Sequence, residues 1–363
     1  MVNKMEDFGE RITKILNQGA LNLALGIGYK NRLFDTLEDL DRPVTVRELA
    51  AACGLDARYL KEWLGIMVTG DILDLAQTPA GVETYYLPTE RAAFLTRRAG
   101  SKNLGVYTQE IPLLTQCALE AVNAGFASGD GVPFSHYPYF QQFMGELADA
   151  KHEKMLVGEF LPSVDGGRLM ARLEAGIRVC DLGCGQGRAV NLMAAAFPDS
   201  SFVGLDNHAQ AIATARKEAR DAGLANAVFE ELDAAEIEGR ARWSQRFDYI
   251  TAFDSIHDQT RPLEALRSIR YMLAPGGLFS MVDIKAGSRH ADNLDHPMGP
   301  FLYTVSLMHC MPIGLNNGGT GLGMMWGRQQ AQALLEEAGF ERVEPTEMDY
   351  DPFNLHYLCR VPE

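Results

Sequence analysis

The spacing of apolar residues changes character along the chain, and each change predicts a different element. In the first forty residues Phe8, Ile12, Ile15 and Leu16 fall on one helical face, and Leu21, Leu23, Leu25 and Ile27 continue the apolar run. Gly19, Gly26 and Gly28 would weaken a lone helix, so this segment predicts close packing, either in the core or at a dimer interface. From Asp41 to about Arg98 the pattern predicts helix, turn, helix and two short strands. Thr45 is placed to cap a helix over Val46–Ala52 with Glu48 as its reciprocal partner, and Gly54 suits its end. Asp56 opens a second helix carrying Leu60, Trp63, Leu64 and Met67. Ile72–Leu75 and Tyr85–Leu87 then flank Thr78-Pro79-Ala80-Gly81 as a wing. The whole reads as a winged helix-turn-helix.

Residues 101–170 predict a mainly helical stretch interrupted by an aromatic island. Gly129-Asp130-Gly131-Val132-Pro133 leads there into Phe134, His136, Tyr137, Tyr139, Phe140 and Phe143, with a helix expected from Pro138. From residue 171 strand and helix patterns alternate, which is the mark of a parallel sheet. The expected strands are Ile177–Leu182, Ser201–Leu205, Val228–Leu232, Phe247–Phe253 and Leu278–Asp283. Phe340–Glu347 and Asn354–Arg360 lie too close together for a crossover helix and predict an antiparallel edge. Ala286–Gly327 is long for a connection and predicts a lid. The expected organisation is therefore residues 1–100 as a winged-helix dimerisation domain, 101–170 as a helical linker covering the site, and 171–363 as the catalytic domain.

Composition narrows the function classes. With 47% hydrophobic and 22% charged residues, the chain is too apolar for disorder. Its 48 acids against 33 bases, net −15, repel phosphate backbones. Even the winged-helix stretch Asp41–Arg98 holds eight acids and seven bases, which favours protein–protein contact over DNA binding. Six cysteines without a CxxC pair suggest reduced thiols, and the charged start lacks an apolar leader. The run Ala20–Gly28 falls short of the roughly 18 residues of a membrane span. A cytoplasmic protein with no membrane or nucleic-acid partner is expected.

The chemistry is concentrated in Val179-Cys180-Asp181-Leu182-Gly183-Cys184-Gly185-Gln186-Gly187. A buried strand runs into alternating glycines and then a helix near Arg188. The spacing is GxGxG, whereas a dinucleotide fingerprint is GxGxxG, and Arg188 stands where its third glycine would be. Asp181 would oppose a pyrophosphate but suits an ammonium group. The next strand ends in Gly204-Leu205-Asp206, followed by Asn207, where a carboxylate is placed to accept ribose hydroxyls. The third ends in Glu231-Leu232-Asp233-Ala234, where a carboxylate or backbone N–H could meet an adenine edge.

This ordered set, with Leu273-Ala274-Pro275-Gly276-Gly277 before the fifth strand, resembles the class I S-adenosylmethionine (SAM)-dependent methyltransferases over Ile177–Asp283. The resemblance implies an α/β fold, a doubly wound seven-stranded sheet that is mostly parallel with an antiparallel last strand. It places Asp181 and Gly183 by the methionine part of SAM, Asp206 on the ribose and Asp233 with Ala234 by the adenine, with Gly185, Gly187, Asn207 and Phe253 as further cofactor-binding residues and S-adenosylhomocysteine as product. The winged helix ahead of such a domain is similar to small-molecule methyltransferases that form homodimers through the N-terminal part. The segments His296–Tyr303, Ser306–Met311 and Gly318–Gly323 resemble a branch associated with sulfide and small thiols, so S-methylation is the first expectation and O-methylation its alternative. A ligand-sensing regulator that binds DNA through the winged helix is the non-enzymatic alternative.

Methyl transfer requires collinear reactants and exclusion of water. A base is needed only for a protonated, weak nucleophile. The fourth strand ends in Phe253-Asp254-Ser255-Ile256-His257-Asp258, at the end of a parallel strand that faces the ligand crevice. His257 is the expected base, oriented by Asp254 or Asp258. Tyr137 and Phe134 are expected to close the site from the aromatic island, and Tyr303, Met308, His309 and Cys310 to line the acceptor pocket. Spacing among His290, His296, His309 and Cys310 offers no compact ligand pair, so no metal is expected.

Overall fold

The computed structural model describes residues 2–137, 143, 147, 152–153, 155–341 and 343–362. They form two compact units, one ending at Leu113 and the other beginning at Leu114. In the first unit α1 (Val2–Lys30) and α2 (Leu33–Leu40) precede α3 (Val46–Cys53) and α4 (Ala57–Thr69). Strands β1 (Asp74–Gln77) and β2 (Glu83–Tyr86) pair antiparallel as the wing. The expected caps are present. The Thr45 side chain accepts from Glu48 N, Glu48 reaches back to Thr45 N, and Asp56 accepts from Arg58 N and Tyr59 N. Trp63 locks α4 to α1, its indole Nε1 donating to Ala24 O at 2.9 Å and its ring packing 5.4 Å from Phe34. Only part of α1 is used this way, since Phe8, Ile12, Ile15, Leu16, Leu23 and Ile27 are exposed.

The second unit is built on a seven-stranded sheet. Its strands are β3 (Arg178–Leu182), β4 (Ser201–Asp206), β5 (Ala227–Glu231), β6 (Phe247–Phe253), β7 (Leu273–Ile284), β8 (Thr346–Met348) and β9 (Asp351–Arg360). Their order is β5-β4-β3-β6-β7-β9-β8. Neighbours from β5 to β7 are parallel, and β9 runs antiparallel to both β7 and β8. The last strand is thus an interior strand, and the edge is the three-residue β8. Leu355, Tyr357 and Cys359 of β9 share one face and join the core there, as do Phe340 and Val343, which form no strand.

Side chains alternate across the sheet into two cores. Cys180, Leu182, Ile250, Phe279 and Met281 meet Leu266, Ile269 and Leu335 on one face. Val179, Tyr249 and Val282 meet Leu169, Val190, Met193 and Ile212 on the other. Runs buried on both faces are what a doubly wound parallel sheet requires. The helices that cover it leave the carboxyl ends of β3, β4, β6 and β7 together, and that is where the site forms. No helix among the described residues is long and apolar enough to cross a membrane.

Candidate active site

The turn after β3 is shaped by sterics at Gly183 and by openness at Gly185. Gly183 has φ 73°, and a Cβ there would lie 2.5 Å from the Cβ of Ser255. Gly185 has φ 52° with nothing within 4 Å of its Cβ position, so the turn presents bare backbone to open space. Leu205 O pins the turn, accepting from Gly183 N at 2.8 Å and Cys184 N at 3.1 Å. Asp206 then ties two turns together, accepting from Gly185 N at 2.9 Å and His208 N at 2.8 Å. Burial raises its pKa, and these two backbone bonds oppose the rise. Asp181 is buried and accepts from Thr251 Oγ1 at 2.7 Å. Burial pushes it up to about 7, against the pull of the Thr251 bond and with help from the nearby Asp206 charge. Gly187 precedes the helix Arg188–Ala196, and Asn207 is exposed beside Asp206. Asp233 caps a short turn through Ala235 N at 2.8 Å and holds Arg261 at 2.8 Å, with Ala234 buried next to it. Phe253 packs its ring 5.3 Å from Phe160 and 5.3 Å from His152.

At the end of β6 the side chains sort differently from the sequence expectation. The Asp254 carboxylate accepts from Asn354 Nδ2 through both oxygens, at 3.0 and 3.1 Å, on a backbone with φ 48°. The partner of His257 Nδ1 is instead Asp283 Oδ1, at 2.7 Å. Asp283 stands near the end of β7, and the same oxygen accepts from Trp326 Nε1 at 3.1 Å and Ile284 N at 2.8 Å. Three donors on one oxygen fix the carboxylate, and the carboxylate fixes the imidazole. Asp258 lies on the other side of the ring, its Oδ1 3.4 Å from Nε2. Burial disfavours the imidazolium, but Asp283 and Asp258 outweigh it and hold His257 well above its ordinary pKa. Asp283 was absent from the sequence candidates. An acid closing an apolar strand beside the ligand crevice, as in Asp206, was the signal available.

The wall opposite His257 comes from the 286–327 segment. Helices Gly299–Val305 and Met311–Leu315 are joined by a π-helical turn over Ser306–Cys310, in which Met308, His309 and Cys310 are all buried. Tyr137 donates its hydroxyl to Met308 O at 2.6 Å, and its ring meets His309 edge-on at 4.9 Å. Burial raises the Tyr137 pKa further above its usual value, so the phenol stays a donor to that carbonyl. Phe134 lies between His309, at 6.2 Å, and His208, at 4.8 Å, linking the aromatic island to the turn after β4. His309 is pushed down to about 4 by burial and is therefore neutral, with Nδ1 3.4 Å from Cys310 Sγ. Burial pushes the Cys310 thiol up to about 12, with Asp258 adding to the rise. Tyr303 belongs elsewhere, its hydroxyl accepting from Asn293 in a separate cluster with Met298 and Met325. Tyr139 and Phe140, and the helix expected from Pro138, lie outside the described residues.

The histidines first weighed as metal ligands have other occupations. His296 bonds Lys285 O and Met298 N, and His290 packs on Tyr303. A different trio converges: ligand atoms of His257, Asp258 and Cys310 all lie within 4.8 Å of one another.

Comparison with known proteins agrees with this architecture. Residues 173–339 match the family described as Methyltransferase domain, and residues 19–97 match the Rv2258c-like winged HTH domain. Trans-aconitate 2-methyltransferase of Acidovorax sp. (strain JS42) is 31% identical over 133 residues, 36% of this chain and 45% of that protein. The chain thus spans less than half the length of this curated relative. Human N-acetylserotonin methyltransferase, solved with SAM, superposes with a TM-score of 0.69 at 16% identity, covering 98% of this chain and 97% of that one. The mitomycin 7-O-methyltransferase MmcR gives 0.70 at 16% identity, covering 99% and 100%. Such low identity carries the fold only, while the family match covers strands β3 to β7 and the glycine turn. A stretch similar to the methyltransferase domain, residues 173–339, thus follows one similar to a winged HTH domain, residues 19–97.

Proposed function

We propose that this chain transfers the methyl group of SAM to a hydroxyl of a small molecule, with His257 as general base and Asp283 as its positioning residue. The observation that carries this is the 2.7 Å contact between His257 Nδ1 and Asp283 Oδ1, which commits one ring nitrogen and turns Nε2 toward the cleft, where Asp258 Oδ1 lies 3.4 Å away. A base so firmly held is what an alcohol or phenol needs and a thiol needs least. MmcR, by its name, is an O-methyltransferase, whereas the likenesses give no support to sulfide or thiol acceptors. The soft wall of Met308 and Cys310 suits an uncharged acceptor.

The residues fit the cofactor chemically. The open backbone at Gly185 admits a close ligand, Asp206 beside it offers acceptor oxygens for a ribose diol, and the buried carboxyl of Asp181 suits an ammonium. Asn207 is taken as a further ribose contact, Asp233 with Ala234 as the adenine end, and Phe253 as the adjoining apolar wall. SAM, when bound, supplies a methyl already activated by a positive sulfur. The chain's own task is to hold the acceptor, exclude water through Phe134, Tyr137 and the 286–327 segment, and take the acceptor proton on His257 Nε2. The exposed α1 stripe of Phe8, Ile12, Ile15 and Leu16 is proposed as the homodimer face.

Incubation with labelled SAM and a panel of phenols, alcohols, hydroxy acids, thiols and sulfide tests the acceptor class by mass detection of product. Methylated hydroxyl products whose formation collapses in His257→Ala support the reading. Turnover of sulfur compounds alone, unaffected by His257→Ala, overturns it.

A further inference from the structure

Three donor atoms of different hardness meet at the acceptor side of the site: an imidazole nitrogen, a carboxylate oxygen and a thiol sulfur, all within 4.8 Å of one another. The imidazole is prepared as a metal ligand would be. Its Nδ1 is held by a carboxylate at 2.7 Å, the outer-sphere arrangement that fixes the tautomer and direction of metal-ligating histidines. Oδ1 of Asp258 is buried 3.4 Å from Nε2, so the carboxylate already points at the place the imidazole faces. Cys310 is buried at the end of the π-turn, on the side of the cleft that faces His257. Donors bound to one tetrahedral zinc sit roughly 3.3–3.8 Å apart, given bond lengths of about 2.0–2.3 Å. Closing from the observed separations takes side-chain shifts of about an ångström.

We propose that His257 Nε2, the Asp258 carboxylate and Cys310 Sγ form a three-ligand site for a thiophilic divalent cation, with zinc the best fit, and that its occupancy silences methyl transfer. A nitrogen, an oxygen and a sulfur around one ion are a borderline-soft set that magnesium and calcium do not favour. Binding forms three metal–ligand bonds and displaces the thiol proton of Cys310, together with any proton on Nε2, to solvent; nothing is oxidised or reduced. The fourth position is left to water. The inhibitory half rests on the reading of His257 as base, because a metal on Nε2 removes the proton acceptor. The binding half does not depend on that reading.

The full chain, stripped with a chelator, is titrated with Co2+ and then Zn2+ in the absence of SAM and acceptor. One Co2+ per chain is expected, with a thiolate-to-cobalt charge-transfer band in the near ultraviolet that Zn2+ abolishes by displacement. Cys310→Ser should erase the band, and Asp283→Asn should weaken binding about 10–100-fold, with circular dichroism confirming that both variants fold. A missing band, or one that persists in Cys310→Ser, overturns the site. Stoichiometric Zn2+ should suppress methyl transfer and a chelator should restore it. Full activity with Zn2+ bound overturns the inhibitory half alone. A chain that transfers no methyl under any condition overturns the functional reading and leaves the metal titration to decide the site.

Discussion

The two halves of the site are assembled in opposite ways. On the cofactor side, Asp181, Gly183, Gly185 and Asp206 come from one strand–turn–helix–strand passage, and hydrogen bonds between adjacent turns hold them. On the acceptor side, His257, Asp283, Cys310 and Tyr137 come from four distant segments, joined by side-chain contacts such as His257–Asp283 and Tyr137–Met308. Backbone geometry sets the first half, and tertiary packing sets the second. A local motif tolerates change elsewhere in the fold, while an assembled one is adjusted by any of its contributors.

The sharpest way to separate the halves is His257→Ala. Loss of a positioned base should cut kcat toward a hydroxyl acceptor by about 10²–10⁴, with SAM affinity by calorimetry unchanged. A comparable loss of SAM binding would show that the halves are not independent. Gly183→Ala should act through the backbone, costing about 1–3 kcal/mol for a non-glycine at positive φ, with the clash against Ser255 in addition. A lowered melting temperature with SAM affinity falling alongside would be the signature. Asp206→Ala should weaken SAM by about 1.5–3 kcal/mol, the range for hydrogen bonds to a charged group, while kcat at saturation holds.

The smallest effects are in protons. Because Asp181 is pushed up to about 7, an ammonium settling beside it should lower that value. SAM binding near pH 7 should then release a fraction of a proton, seen as a dependence of binding heat on buffer ionisation enthalpy and lost in Asp181→Asn. On the acceptor side the sign is set by His257, whose folded pKa lies well above the ordinary 6.5. Protonated Nε2 cannot accept, so kcat should climb with pH through the folded value and flatten in His257→Ala. Stability runs the other way. The imidazolium–carboxylate contribution is complete below pH 6.5 and declines as pH rises through the folded pKa.

What the sequence disclosed follows the same division. The strands that flank the glycine turn could be read from their apolar runs, and the capping box at Thr45 from four letters. Asp206 was legible because a strand-end acid beside a glycine turn has a chemical reason to be there. Asp283 was equally a strand-end acid, but nothing local links it to a histidine 26 residues earlier. Asp254, next to the strand end, looked better placed, but Asn354, on a strand with no local link to it, holds its carboxylate. The trio of His257, Asp258 and Cys310 is illegible for a related reason, since its third member comes from the far side of the cleft, more than fifty residues along the chain.

The five-residue π-turn over Ser306–Cys310 has a geometric corollary. It is one residue wider than an ordinary helical turn, and each residue of an α-helix advances by about 100°. Deletion of a single codon there would turn the sulfur and the ring ahead of it relative to the cleft in one step, at a place outside every strand of the sheet. The wall opposite His257 therefore changes with the length of one turn, while the glycine turn and Asp206 keep their places.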